Sequence, residues 1–133
     1  NKENLRKNVR DFKSKYNIDT YYRGTTLGPP VDIQLKYNYH KPERDENKLT
    51  HIKIVDNIHT IVPWFNKNKK FIVDEWKKSD FLMNEVYHLT FSCVCGKDET
   101  ESWTKHCYDL HEKPQKWCWW CVEKKWAFGE LSE

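Results

Sequence analysis

Apolar residues recur at helical spacing from the start of the chain. Leu5, Val9, Phe12 and Tyr16 fall at i, i+4, i+7 and i+11 and predict an amphipathic helix over residues 4–16. Its other face carries Arg6, Lys7, Arg10, Lys13 and Lys15, either a solvated face or a phosphate-facing one. Gly24, Gly28, Pro29 and Pro30 then break the pattern, so residues 17–30 read as a loop. From Val31 to His40 the period drops to two: Val31, Ile33, Leu35, Tyr37 and Tyr39 alternate with polar residues, as in a strand with one buried and one wet face. A charged turn over 41–48 follows. Thr50–Val55 and Ile58–Val62, joined at Asp56-Asn57, then read as a β-hairpin. A basic loop over 66–70 leads to a helix predicted over 74–84, burying Trp76, Phe81 and Leu82, although Phe71-Ile72-Val73 before it also suits a strand.

The last third has a different grammar. Val86–Ser92 reads as a strand running into Cys93-Val94-Cys95-Gly96. Glu99–Cys107 alternates as a second strand, and Trp117–Phe128 reads as a helix after the loop ending at Pro114. The pairs Cys93/Cys95 and Cys118/Cys121 are separated by the 22 residues 96–117. Two close cysteine pairs so spaced suit a structural Zn²⁺ site, because zinc takes four soft ligands in a tetrahedron. Cys118 and Cys121, at i and i+3 of one helix, share a face. Glycine at 96 permits the positive φ that a knuckle around a metal needs. Disulfides or free thiols are the competing reading. Five cysteines is an odd number, however, and all lie between 93 and 121, which favours a local metal site in a reducing compartment. The expected ligands are Cys93, Cys95, Cys118 and Cys121, with His106 or Cys107 as substitutes; His88 and His111 are expected to be surface or strand residues.

This C-x-C-G and C-x-x-C arrangement over residues 86–128 resembles a treble-clef zinc finger, though the commoner knuckle is C-x-x-C-G. The resemblance implies a knuckle, a hairpin and a helix around one zinc. Treble clefs serve many functions, so it implies architecture only. The expected fold is α+β: a small antiparallel sheet with an N-terminal helix, plus a C-terminal treble-clef-like zinc module. A basic region over 1–85 would carry the zinc-binding module 86–133 packed on it.

Charge divides the chain. Residues 1–70 sum to +7 and residues 71–133 to −4, although the whole chain is only +3. A phosphate-binding surface is therefore expected in the first half, away from the zinc. Tyr21, Tyr22 and Arg23, with Lys67, Lys69 and Lys70, mix stacking surfaces and cations as single-strand binders do. Seven Trp make aromatic packing dominant. Trp119 and Trp126 share a helical stripe with Val122 and should cover the zinc hairpin, leaving Trp117 and Trp120 to dock on a partner. Val55-Asp56 followed by Glu75-Trp76-Lys77 resembles the acidic-plus-E-x-K pattern of restriction-like nucleases. The competing expectation is that Asp56 caps the hairpin turn and Glu75 starts a helix as a solvated carboxylate.

The function expected is a small zinc-stabilised regulatory or accessory protein that binds DNA or RNA. The alternatives are an adaptor docking on a larger protein complex, and a metal-dependent nuclease. No apolar run reaches membrane-spanning length, and no signal-peptide core is present. The sequence begins at Asn1 rather than Met, which leaves an upstream segment open. The compartment expected is the cytoplasm or nucleus. High Lys and Asn with almost no Ala or Gly fits an AT-rich coding genome such as that of a virus, phage or protozoan.

Overall fold

A computed structural model describes residues 2–95 and 105–131 of the chain. The predicted first helix is present as α1, Lys2–Lys15, with Glu3 in its first turn and Lys13 and Lys15 in its last, as the helix dipole favours. Asn17 then turns the chain at φ 50°. The loop region carries a short strand, β1 (Thr20–Tyr22).

The hairpin forms as its sequence dictates. β2 (Ile52–Val55) and β3 (Ile58–Ile61) pair antiparallel, with Val55 opposite Ile58. The two-residue turn places Asp56 at φ 49° and Asn57 at φ 61°, the doubly left-handed geometry that Asp and Asn tolerate best after glycine. β1 adds to the other edge of β3 in parallel, giving the order β1-β3-β2. The sheet is therefore small and three-stranded, with one antiparallel pairing and one parallel.

Val31–His40 is not a strand. Val31–Lys36 forms helix α2, entered through Pro30 with Asp32 in its first turn. Proline at a helix entrance and an acid in the first turn are helix-start signals that outweigh the alternation. The side chains turned inward are Gln34 and Tyr37, three apart, while Leu35 is largely exposed. Gln34 acts as a hub: its Nε2 donates to Pro29 O (2.8 Å) and Asp45 Oδ1 (3.4 Å), and its Oε1 accepts from Lys41 N (2.9 Å). Gly28 has no Cβ because Gln34 leaves no space for one; an added Cβ would stand 2.9 Å from Nε2.

The second half begins with α3, Lys69–Trp76, whose N-cap Asn68 accepts from Phe71 N. This helix starts five residues before the predicted 74–84 helix, so Glu75 sits in its last turn rather than its first. The predicted strand over 86–92 is also absent: a π-helical turn, Leu82–Val86, runs into a 3₁₀ turn, Tyr87–Leu89. Most of the second predicted strand, over 99–107, lies outside the described residues. Its last member, Cys107, instead opens a short helix α4, Cys107–Leu110. α5, Trp119–Phe128, starts two residues later than predicted, with Cys118 as its N-cap rather than in its first turn, and Gly129 closes it in the left-handed conformation at φ 75°.

α3 packs along α5 within the second half. The interior is unusually polar. Val62, Val73, Val122 and Ala127 are buried, but so are Thr26, Gln34, Glu123 and Lys124. At its centre Arg44, in a 3₁₀ turn over Pro42–Arg44, grips Glu123 of α5 with Nη2···Oε1 at 2.5 Å and Nη1···Oε2 at 3.1 Å. The guanidinium also donates to Thr26 O, Thr26 Oγ1 and Leu27 O. A segment that reads as a solvated charged turn thus supplies the ion pair on which the two halves meet. Among the described residues no helix is long and apolar enough to cross a membrane.

Candidate metal centre and neighbouring clefts

Four sulfurs converge at the start of α5. The Sγ atoms of Cys93, Cys107, Cys118 and Cys121 all lie within 4.8 Å of one another, and none is in a disulfide. Cys93 and Cys107 are 3.5 Å apart, and Cys118 and Cys93 3.9 Å. Thiolates at about 2.3 Å around a tetrahedral ion stand ~3.8 Å from each other, so these spacings suit one ion at the centre. A disulfide would need about 2.05 Å. The cluster is compatible with a metal ion held by four cysteines.

This set differs from the expected one at a single corner. Cys95 is exposed and falls outside the four, and Cys107 stands in its place. Cys95 N–H donates to Cys93 Sγ at 3.4 Å, so the backbone folds around the first sulfur. The start of α4 meanwhile buries Cys107 almost completely. Cys118 N–H donates to Cys107 Sγ at 3.2 Å, a bond that stabilises a thiolate there. His106 approaches but does not join: its Nδ1 is 4.0 Å from Cys121 Sγ, and its ring is stacked against Tyr108. The cue for Cys107 was burial of a fifth cysteine beside the pairs, which spacing alone does not rank.

Burial raises the Cys107 thiol to about 12 and pushes Cys121 up as well. Burial also acts to raise Cys118, but backbone hydrogen bonds from Val94 and Cys121 outweigh it and hold that thiol below its ordinary value. A bound cation would offset that desolvation and draw these sulfurs into their thiolate form.

The indoles divide their roles. Trp117 packs on the cysteine cluster, meets Tyr108 edge-on at 5.7 Å, and donates Nε1–H to His111 O at 2.6 Å. It is part of the centre's wall rather than a free anchor. Trp119 faces the first half instead of the zinc segment, near Tyr39 (6.2 Å) and under the Arg44 guanidinium (5.4 Å). Trp120 stacks on Trp119 at 3.6 Å and remains half-exposed.

Four of the six expected nucleic-acid residues line two clefts. Tyr21, Tyr22 and Arg23 line an open cleft of about 1020 Å³ with Arg6, Arg10 and Lys13 of α1. Asp19 and Asp56 are its acidic members, leaving it net cationic by two. Tyr22 is 70% exposed, and the Lys13 ammonium lies 3.4 Å over the Tyr21 ring. Lys69 belongs to a second cleft beside Trp120, while Lys67 lies over Phe71 and Lys70 is exposed. The nuclease trio is spread apart in its engagements. Asp56 holds the hairpin turn beside α1, Glu75 pairs with Lys78 at 2.6 Å, and Lys77 Nζ donates to Phe128 O at 2.9 Å.

Compared with protein-family models, curated proteins and solved structures, the chain matches none. Its site must therefore be read from its own geometry.

Proposed function

We propose that this chain is a zinc-stabilised nucleic-acid-binding protein of regulatory or accessory type, with the metal as a staple and the cleft beside α1 as the phosphate-binding surface. The choice of zinc rests on the donor set: four thiolates and no open position suit a structural d¹⁰ ion. A treble-clef-like arrangement is consistent with the C-x-x-C at the head of α5, with Cys107 replacing the second knuckle cysteine. The observation that carries the nucleic-acid reading is the meeting of Arg6, Arg10 and Lys13 with Tyr21, Tyr22 and Arg23 in one open cleft. Cations along a groove with exposed rings are what a single strand requires. The protein-adaptor reading draws on a neighbouring feature, the exposed Val9 and Phe12 of α1.

Binding of a labelled single-stranded oligonucleotide, measured across a salt series, tests the proposal. Affinity should fall steeply with salt, and replacing Arg6, Arg10 and Lys13 together by Gln should lower the log–log slope by about two. No binding to single- or double-stranded DNA or RNA at low salt hands the case to the adaptor.

A further inference from the structure

The second cleft has a composition that the general reading does not use. It encloses about 520 Å³, within the ~300–1,000 Å³ of small-ligand sites and too small for a duplex. Trp64, Trp119 and Trp120 form much of its lining, and Arg23, Arg44 and Lys69 supply its cations. Its one carboxylate, Glu123, is already consumed: Arg44 holds both oxygens and Lys69 stands 3.7 Å away. The cleft is thus net cationic by two and walled by indoles, which favours a planar ligand carrying negative charge. A cationic guest, the usual occupant of an aromatic cage, would meet three like charges.

Two of these indoles are not spent in the core. Trp64, just after the buried Val62, is 41% exposed, and Trp120 is backed by Trp119 at 3.6 Å on one face. Lys69 Nζ lies 5.7 Å from the Trp120 ring, placing a phosphate partner beside a stacking surface. Arg23 lines both this cleft and the one along α1. The rim beside it is Gly24, where the space around the Cβ position is open to 4 Å.

We infer that this cleft is a nucleotide pocket: a single strand lying along α1 and Tyr22 turns at Arg23 and seats one unpaired base against Trp64 and Trp120. Its phosphate pairs with Arg23 and Lys69. The inference rests on the proposed nucleic-acid reading and adds to it that unpaired bases, not duplex, are the substrate. Stacking tolerates any base, so the pocket reads the absence of pairing rather than sequence.

The test compares the wild-type chain with Trp64→Ala and Trp120→Phe, using a ten-nucleotide oligomer, the same oligomers with one abasic position moved along the strand, and free AMP and UMP. Trp64 is at the surface, so its removal should spare the fold, checked by circular dichroism and metal content. Trp64→Ala should weaken oligomer binding by about five- to a hundredfold, with the salt slope unchanged. An abasic site at one position should cost wild type as much and cost Trp64→Ala nothing further. Trp120→Phe, which keeps a ring, should lose less. Equal affinity of Trp64→Ala and wild type, with no abasic position mattering, overturns the pocket while leaving strand binding along α1 intact. If wild type binds no strand at all, the nucleic-acid reading fails, and the mononucleotides decide the pocket. Tryptophan quenching by AMP or UMP that is lost in Trp64→Ala sustains it, and no quenching ends it.

Discussion

Arg44 and Glu123 show how much a single residue pair decides here. The Glu123 side chain is fully buried and the Arg44 side chain only 11% exposed, so neither charge can be left to solvent. Removing Arg44 leaves the buried Glu123 with the longer Lys69 contact at 3.7 Å in place of a forked pair, which costs up to about 3–5 kcal/mol, whereas replacing both with apolar residues is often neutral. Arg44→Leu should therefore lower stability to denaturant by about that amount, and adding Glu123→Leu should restore much of it. The check is a double-mutant cycle by chemical denaturation. A single Arg44→Leu costing less than about 1 kcal/mol would show that the pair does not join the halves. Arg44 also has a rigid fork that Lys lacks, so Arg44→Lys should recover little.

At the scale of elements, helix ends did more than hydrophobic periods. The closure of α5 depends on Gly129 at φ 75°, with Gly129 N donating to Trp126 O and Glu130 N to Lys125 O. Any side chain there is strained even though the surrounding space is open. Gly129→Ala should cost about 1 kcal/mol, read as a drop of a few degrees in Tm with metal content unchanged; no change would mean the helix ends elsewhere. The same logic explains what could be read from sequence. α1, the Asp56-Asn57 hairpin and α5 each combine a period with a matching turn or cap, and each forms close to where expected. Val31–His40 had a clean alternation but helix-start chemistry at Pro29-Pro30, and the chemistry won. α3 begins earlier than its apolar pattern predicts because its N-cap, Asn68, lies in a basic loop that reads as polar linker. β1, Thr20-Tyr21-Tyr22, has strand-favouring residues but is only three long, and it forms where β3 offers an edge.

Across the whole molecule, a small and polar interior is arranged between a cationic first half and a cysteine centre. The described core is only a handful of buried apolar residues, so a metal held by the four cysteines would add directly to its stability. The sequence made the cysteine centre legible as a class, since all five cysteines cluster and Cys118-x-x-Cys121 sits at a helix start. The partner pair was not legible, because burial and backbone hydrogen bonding, not spacing, choose Cys107 over Cys95. The direct measurement is metal content per chain, with thermal unfolding, for wild type, Cys95→Ser and Cys107→Ser purified in parallel. Wild type and Cys95→Ser should each carry one metal ion and unfold alike, and chelation should destabilise both. Cys107→Ser should lose the metal and much of the cooperative transition. Metal retained in Cys107→Ser and lost in Cys95→Ser, or two disulfides and no metal in the wild-type protein, would contradict the four-cysteine centre described here.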